Sequence, residues 1–544
     1  MLYFIPAWYK ENSIKWEEKE QTWYTRRLHT EYDDSVKQIQ LFHRNGGTPY
    51  KILLLSHAPN FRHFLHRQGV FHANYWSCFD AIQEVEKKSQ AILSFHNIAW
   101  PEGIEFVYSP FAIVAFQNGV KYAKIEFGED GNLIEIDMFE NDMVIRKNVY
   151  DDRGFVSASV IYEDGQSIYT DYYTEKGYFK FRIYEADGHV EINSERAFYL
   201  LSQGEKTIRK NFERVIYDSI EAVILEVLKN NIANTSVEDI FCIAIYSKHN
   251  ALLEEALRGS KTILSFFGNR YDINCCEKDH SFITEANYII AESKEMCDQL
   301  TKVLSGDEHR IIDISPFDTR VDQGISQQLH VQKILVPIDD LRDGLLEEMI
   351  PYLAEYLTMN TYAMIYFFSR KADYGLKEKV LKTVENILEE YSYPIEWVIE
   401  KKDRNVEENL VDEIFLQDEE NVKEDIPVRF FVEQCVDELE VSKCMREQRI
   451  MVDLSMVPDL YLQINCISSG IPQIVRTENL YAVNNENAIV ISELRELIKS
   501  LDYYLNGLTH WNEAMIASFR IGGDYTTKNL IDKWKEVLYT VGQD

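Results

Sequence analysis

The chain has 544 residues, with 90 Asp and Glu against 57 Lys and Arg, a formal net charge of −33. A surface this anionic repels phosphate backbones, which excludes nucleic acid as the principal ligand, and it leaves anionic lipid only a local basic patch to dock on. Hydrophobic residues make up 45%, enough for several cores, so wholesale disorder is excluded and about three or four domains of ~100–200 residues are expected.

The N-terminus, Met1-Leu2-Tyr3-Phe4-Ile5-Pro6, lacks a basic n-region and a small-residue cleavage site; it reads as a first strand and not as a secretory signal. No run of ~18 apolar residues follows, so no membrane span is expected. Ile52–Leu55 and Ala91–Phe95 are short, continuous apolar runs, the pattern of strands buried on both faces. Between Tyr32 and Phe42 the residues Tyr32, Val36, Ile39 and Phe42 fall at helical spacing. Strands alternating with helices indicate a parallel α/β layer.

The texture changes over residues 104–208. Turn signals such as Asn118-Gly119, Asp151–Gly154 and Ala186–Gly188 recur about every 11 residues, with period-2 runs such as Ala123, Ile125 and Phe127 between them; this is the pattern of consecutive antiparallel hairpins. From Glu205 the α/β texture resumes. A helix around Ile208–Leu228 leads to strands at Ile240–Tyr246, Thr262–Phe267, Tyr288–Ala291 and Ile311–Ile314. A second series follows at Ile334–Val336, Tyr362–Phe368, Ile395–Ile399, Val428–Val432, Ile450–Asp453, Gln473–Val475 and Ala488–Ile491. The acidic stretch Glu407–Asp425 reads as a solvated helix and loop. From Leu501 the chain reads as helices anchored by Trp511, Phe519, Leu530, Trp534 and Leu538.

The expected fold is therefore α/β. Residues 1–103 and 209–325 form one Rossmann-like lobe, with an antiparallel β-meander (104–208) inserted in it. Residues 326–500 form a second lobe, and 501–544 a helical tail. Ligands of such sheets bind at the carboxyl ends of the strands, and two facing lobes put a cleft between them. The eight cysteines (78, 242, 275, 276, 297, 435, 444 and 466) include no C-x-x-C pair. They read as reduced thiols of a cytosolic protein, the vicinal Cys275 and Cys276 included.

Phosphate loops are absent: no G-x-G-x-x-G follows a strand, and no G-x-x-x-x-G-K-[ST] occurs. The G-x-S-x-G elbow and H-E-x-x-H are missing too. The densest polar constellation is Ser56–Gly69, containing His57, Asn60, Arg62, His63 and His66, at the carboxyl end of a predicted strand. It suits an anion or a sugar hydroxyl, with imidazoles and a guanidinium as donors. Alternatively the same groups hold hydrogen bonds between lobes. No carboxylate or cysteine stands at ligand spacing for a metal there. A second constellation runs from Gln463 to Val475, with Asn465, Ser468, Ser469 and Gly470 as ligand candidates. Its helix is capped by Gly470 and barred from continuing by Pro472.

A helix ending Ser468-Ser469-Gly470-Ile471-Pro472 before a buried strand, late in the second of two Rossmann-like lobes, resembles the donor region of GT-B retaining glycosyltransferases. Active members of that group carry E-x7-E, holding the nucleotide ribose and the donor sugar. The matching positions here are Val457 and Asn465, neither of them a carboxylate. Active members also carry an Arg and a Lys after the first strand of the second lobe, to neutralise the departing diphosphate. The stretch Leu335–Asp343 offers one Arg, Arg342, among three Asp, and like charge opposes a departing diphosphate. Their N-terminal Gly-rich loop is replaced by Pro6-Ala7-Trp8-Tyr9.

A fuller resemblance is carried by Met1–Tyr9, Asp34–Phe42 (DSVKQIQLF), Ala58–Gly69 (APNFRHFLHRQG) and Asp151–Ser157 (DDRGFVS). These strings resemble the first accessory secretory proteins of the accessory Sec system. The resemblance implies a cytosolic, non-enzymatic, GT-B-like component without catalytic residues, metal or cofactor. It implies a complex with the second and third accessory secretory proteins and cooperation with a motor ATPase. The cargo implied is the glycosylated serine-rich repeat adhesins, through binding of their glycans, with recruitment to the inner face of the membrane through the complex. The rival reading is an active retaining GT-B glycosyltransferase with an atypical donor site.

Overall fold

The computed structural model describes residues 1–10, 15–18, 22–24, 32–45, 47–203, 206–273, 278–304, 310–319, 324–371, 373–398 and 427–543. They divide into two compact units, Met1–Pro316 with Ile531–Asp544, and Phe317–Leu530.

The first unit is built on a seven-stranded, all-parallel sheet among the described residues. Its spatial order is Ile311–Asp313, Tyr288–Ala291, Lys261–Phe266, Ile240–Ala244, Leu2–Ile5, Tyr50–Leu54 and Tyr75–Ser77. The N-terminal strand is an interior one, next to the central Ile240–Ala244, and all four of its residues are buried. Both faces of such a sheet are covered by helices, so its strands need unbroken apolar runs in place of alternation. The chain fills one side first (Tyr50–Leu54, Tyr75–Ser77) and then returns across Leu2–Ile5 to the other, creating a topological switch point at its carboxyl end.

In chain order, an antiparallel sheet is inserted between the two halves of that one. It runs from Ile104–Tyr108 through Val190–Ile192 in sequential neighbours and ends with Ile216–Tyr217 on the Val190–Ile192 edge. Two of its turns, Asn118-Gly119 (φ 52° and 77°) and Asp164-Gly165 (48° and 79°), have positive φ at both central residues. That conformation matches the twist of the flanking strands. A separate hairpin pairs Phe198–Gln203 with Lys206–Asn211.

The second unit carries a six-stranded parallel sheet in the order Phe430–Gln434, Ala363–Ser369, Gln332–Pro337, Gln448–Asp453, Gln473–Val475 and Ala488–Val490. Here the switch point falls between Gln332–Pro337 and Gln448–Asp453. Helices Glu496–Leu505 and Thr509–Gly522 follow. Helix Thr527–Gln543 carries the chain back to the first unit, where Trp534 packs edge-on against Phe4 and Phe42, with ring centroids 6.4 and 5.3 Å away. Trp511, Leu530 and Trp534 are buried anchors, as expected; Phe519 and Leu538 are half-buried, and Val537 and Val541 fill the core there.

Three expectations are corrected. Ala91–Phe95 is not a strand: it is extended chain leading into a 3₁₀ turn at Phe95–Asn97, with Ile92 fully exposed, and buried Phe95 with half-buried Leu93 anchors it in the inserted sheet's core. Ile208–Leu228 is not one helix: Ile208 belongs to the outer strand of the small hairpin, and the helix is Ile220–Ile232, begun at Ser219. Ile395–Trp397 is a 3₁₀ turn following Pro394. The acidic stretch Glu407–Asp425 and Cys275 with Cys276 lie outside the described residues. The described cysteines are free thiols.

Candidate functional site

In the second unit a small pocket opens at the switch point, at the carboxyl ends of Gln332–Pro337 and Gln448–Asp453. Pro337, Asp339, Asp340, Asp453, Ser455 and Asp459 line it, and it encloses about 10 Å³, room for about one water. Asp453 ends its strand and is 1% exposed. Its Oδ1 accepts the Ser455 N–H at 3.1 Å and the Ser455 hydroxyl, and its Oδ2 accepts the Asp459 N–H at 3.3 Å. Burial outweighs those hydrogen bonds and pushes its pKa up to about 6. Asp340 is also raised, by burial and by the neighbouring Asp459 and Asp339 charges, against the pull of Lys371.

Asp459 caps helix Leu460–Ser469, its Oδ1 accepting the N–H groups of Tyr461 and Leu462 at 3.0 and 3.2 Å. The two cations nearby are engaged. Arg370 reaches the other Asp459 oxygen at 2.6 Å, and the Lys371 ammonium donates to the Asp339 carbonyl at 3.0 Å. The Asp339 carboxylate is held by the Ser369 hydroxyl at 2.6 Å and the Arg370 N–H at 2.8 Å. Arg342 bonds Glu348 at 2.5 Å on the exposed surface. Four carboxylates thus face a place where, among the described residues, two cations stand, both committed. Among the described residues no cluster of three or more His, Cys, Asp or Glu could hold a metal ion.

Helix Leu460–Ser469 carries the second set of expected site residues. Asn465 Nδ2 donates to its own helix, to the Tyr461 carbonyl at 2.7 Å. Val457, eight residues earlier, is an exposed loop residue. Ser469 is buried, and its carbonyl accepts the Gly324 N–H at 3.3 Å; Ser468 is half-buried. Gly470 adopts φ 70°, and the Ile471 N–H returns to the Cys466 carbonyl at 2.8 Å, a Schellman-type end. A Cβ on Gly470 would stand 2.6 Å from Met515 Cγ, so only glycine fits there.

The first constellation lies in the first unit, and the structure joins it to the inserted sheet. His57 Nε2 and the Ser157 Oγ are 2.8 Å apart, and the imidazole packs edge-on to Tyr172. Burial pushes its pKa down to about 4, so the ring is neutral. Asn60 Oδ1 accepts Asn132 Nδ2 at 2.7 Å. Arg62 is 3% exposed; its Nε donates to Asp152 at 2.5 Å, and its two terminal nitrogens donate to the Tyr75 hydroxyl (3.0 Å) and the Pro59 carbonyl (2.7 Å). Arg153 completes the cluster with Asp151 (2.6 Å) and Asp80 (2.7 Å). Gly154 turns beneath it at φ 89°, with the Ala91 Cβ 3.2 Å from where its own would be. His63 bonds Asp130 at 3.1 Å, and His66 is exposed beside Phe71. The strings APNFRHFLHRQG and DDRGFVS are therefore two halves of one polar joint. Sequence reasoning did not find Asp453, Ser455, Asp459 or Arg370. The available signal was charged residues at or just past three strand ends of the second sheet: Asp339 and Asp340 after Pro337, Arg370 after Ser369, and Asp453 closing Gln448–Asp453.

The family model for the accessory Sec system's accessory secretory protein 1 matches residues 1–541. The chain is 31% identical over 545 aligned positions to the accessory Sec system protein of that family from Streptococcus gordonii, covering 99% of both chains. It is similar to a chain in the crystal structure of accessory secretory proteins 1, 2 and 3 from Streptococcus pneumoniae, with a TM-score of 0.80, 27% identity and full coverage of both chains. It also shares the fold of the pneumococcal O-GlcNAc transferase GtfA, with a TM-score of 0.69, 12% identity, and coverage of 100% of this chain and 99% of the other. The fold is thus GT-B glycosyltransferase-like, and by a match over nearly its whole length the chain belongs to the accessory secretory protein 1 family of the accessory Sec system.

Proposed function

We propose that this chain serves the accessory Sec system as a glycosyltransferase-like component that does no sugar transfer. It assembles with the second and third accessory secretory proteins and, with the motor ATPase, supports export of glycosylated serine-rich repeat adhesins. It acts in the cytosol and reaches the inner membrane face through the complex. The observation that carries the non-catalytic reading is the charge at the second unit's switch point. Asp339, Asp340, Asp453 and Asp459 stand where a departing diphosphate needs fixed positive charge, and Arg370 and Lys371 are tied to that same acidic group. Asn465, in the position of a donor-holding carboxylate, spends its amide N–H on its own helix.

The complex reading is supported by the similar chain crystallised together with proteins 2 and 3. Co-expression of this chain with its own second and third partners, followed by affinity purification and sedimentation, tests it. A stoichiometric assembly is expected; a chain that purifies alone from all combinations contradicts it. In the same reading the His57–Arg62 stretch fastens the inserted sheet, and that sheet is the platform for adhesin glycans, its tyrosines offering aromatic faces to sugar C–H groups. Excising the sheet would strip Arg62, His57 and Gln83 of buried partners, so its role is tested by surface substitution. Tyr108→Ser and Tyr178→Ser, both at exposed positions, are expected to weaken retention of glycosylated adhesin repeats; undiminished retention contradicts the platform.

A further inference from the structure

The small hairpin of the first unit ends in an unpaired edge. The Lys206–Asn211 strand pairs with Phe198–Gln203 on one side, and among the described residues no strand pairs with its other side. Five of its six residues are exposed, Lys210 alone being half-buried. Its apolar member, Ile208, is 40% exposed, and the chain just beyond exposes Val215 and Ile216 at 44% and 62%. An edge of this kind is a template for another strand.

Its charge is opposite to that of the molecule. In a chain of net charge −33, residues 206–214 hold Lys206, Arg209, Lys210 and Arg214 against one carboxylate, Glu213. Among the described residues Arg209 has its counter-ion in Glu84, 3.9 Å away. That carboxylate already receives Lys180 at 2.8 Å and Arg196 at 3.2 Å. Three cations therefore share one acid. Strand alternation puts Lys206 and Lys210 on one face and Arg209 on the other, so the edge is positive on both sides. Such an edge repels a second copy of itself and attracts a strand of opposite sign.

We propose that the outer edge of Lys206–Asn211 takes up an extended acidic segment of a partner protein as a third strand, with backbone pairing for affinity and the flanking cations for selection. The proposal is independent of whether the second unit transfers sugar. The test uses the full chain and a labelled acetylated octapeptide of alternating glutamate and valine, read by fluorescence anisotropy and by amide hydrogen exchange. Saturable binding is expected, with exchange of Lys206–Asn211 amides slowed at least tenfold. Lys206→Gln with Arg209→Gln should weaken binding at least tenfold while far-UV circular dichroism stays unchanged. A glutamate–proline octapeptide has equal charge but no strand donors and should not bind; nor should a lysine–valine one. The proposal is overturned by absence of protection at 206–211 or by equal binding of either control peptide. It is equally overturned by an unaffected double variant, or by sedimentation showing that the edge is occupied by a second copy of the chain.

Discussion

Replacing Arg62 by methionine isolates what the polar joint contributes. Methionine keeps the unbranched stem but removes the guanidinium from four acceptors: Asp152, the Pro59 carbonyl, the Tyr75 hydroxyl and, at 3.4 Å, Asp151. The Asp152 side chain has no exposed surface, so it is left dry and without this counter-ion, keeping only the N–H groups of Arg62 and His63, and burial, which already holds its pKa above the ordinary value, makes its charge costly to keep. Breaking a buried pair from one side costs about 3–5 kcal/mol. A chain with two compact units is not a two-state unfolder, so the readout is local: amide exchange in the Phe155–Glu163 strand, which follows the joint directly. A loss of ~4 kcal/mol speeds exchange there about a thousandfold, at ~1.4 kcal/mol per decade. Adding Asp152→Asn should recover a large part of the loss, because the orphaned charge is gone. Unchanged exchange in Arg62→Met, or a double variant that costs the sum of the singles, would refute the reasoning. So would phosphate or free hexose saturably protecting the native joint, since its donors would then be open to ligands.

Gly470→Ala should destabilise the second unit by about 2–5 kcal/mol, from ~1–2 for a left-handed residue and ~1–3 for the collision with Met515 and Phe519; amide exchange in helix Leu460–Ser469 reads it, and a loss under 1 kcal/mol contradicts the geometry. His57, with its pKa near 4 when folded against an ordinary 6.5, binds protons more readily unfolded. Its contribution is whole above pH 6.5 and is lost as pH falls toward 4, on the order of 3 kcal/mol; His57→Gln should flatten that slope in the first unit. Asp453 has the opposite sign: its folded pKa near 6 exceeds the ordinary 3.8, so the second unit gains stability as pH falls from 6 to 4, about 3 kcal/mol in all, and loses it as pH rises through 6. Asp453→Asn should abolish that slope, and a slope that persists assigns the titration elsewhere.

Most of the fold was legible because parallel strands buried on both faces announce themselves as short apolar runs. Tyr288–Ala291 and Gln473–Val475 were read to the residue. The same rule misread Ala91–Phe95, where only Phe95 is buried: an apolar run does not say whether its residues have a core to enter. The strand Lys206–Asn211 was absorbed into the following helix because Ile208 and Phe212 also fit helical spacing and the break at Ser219 is weak. The site was less legible. Arg62 was visible as a cluster member, but its partners Asp151 and Asp152 are about 90 positions away. The acidic pocket gathers residues from three strand ends between Asp339 and Asp459, and no local pattern reports which strand ends become neighbours.

The most direct test of the central claim is donor turnover by the purified full chain. It is incubated with UDP-GlcNAc and with UDP-glucose, alone and with its two partners, and released UDP is followed alongside calorimetric titration, with an active GT-B transferase as control. The account predicts neither saturable binding nor UDP release above the protein-free rate, in the native chain and in Asn465→Glu alike, because Val457 and the four carboxylates remain. UDP release that follows enzyme concentration and disappears on changing Arg370 or Lys371 would contradict it.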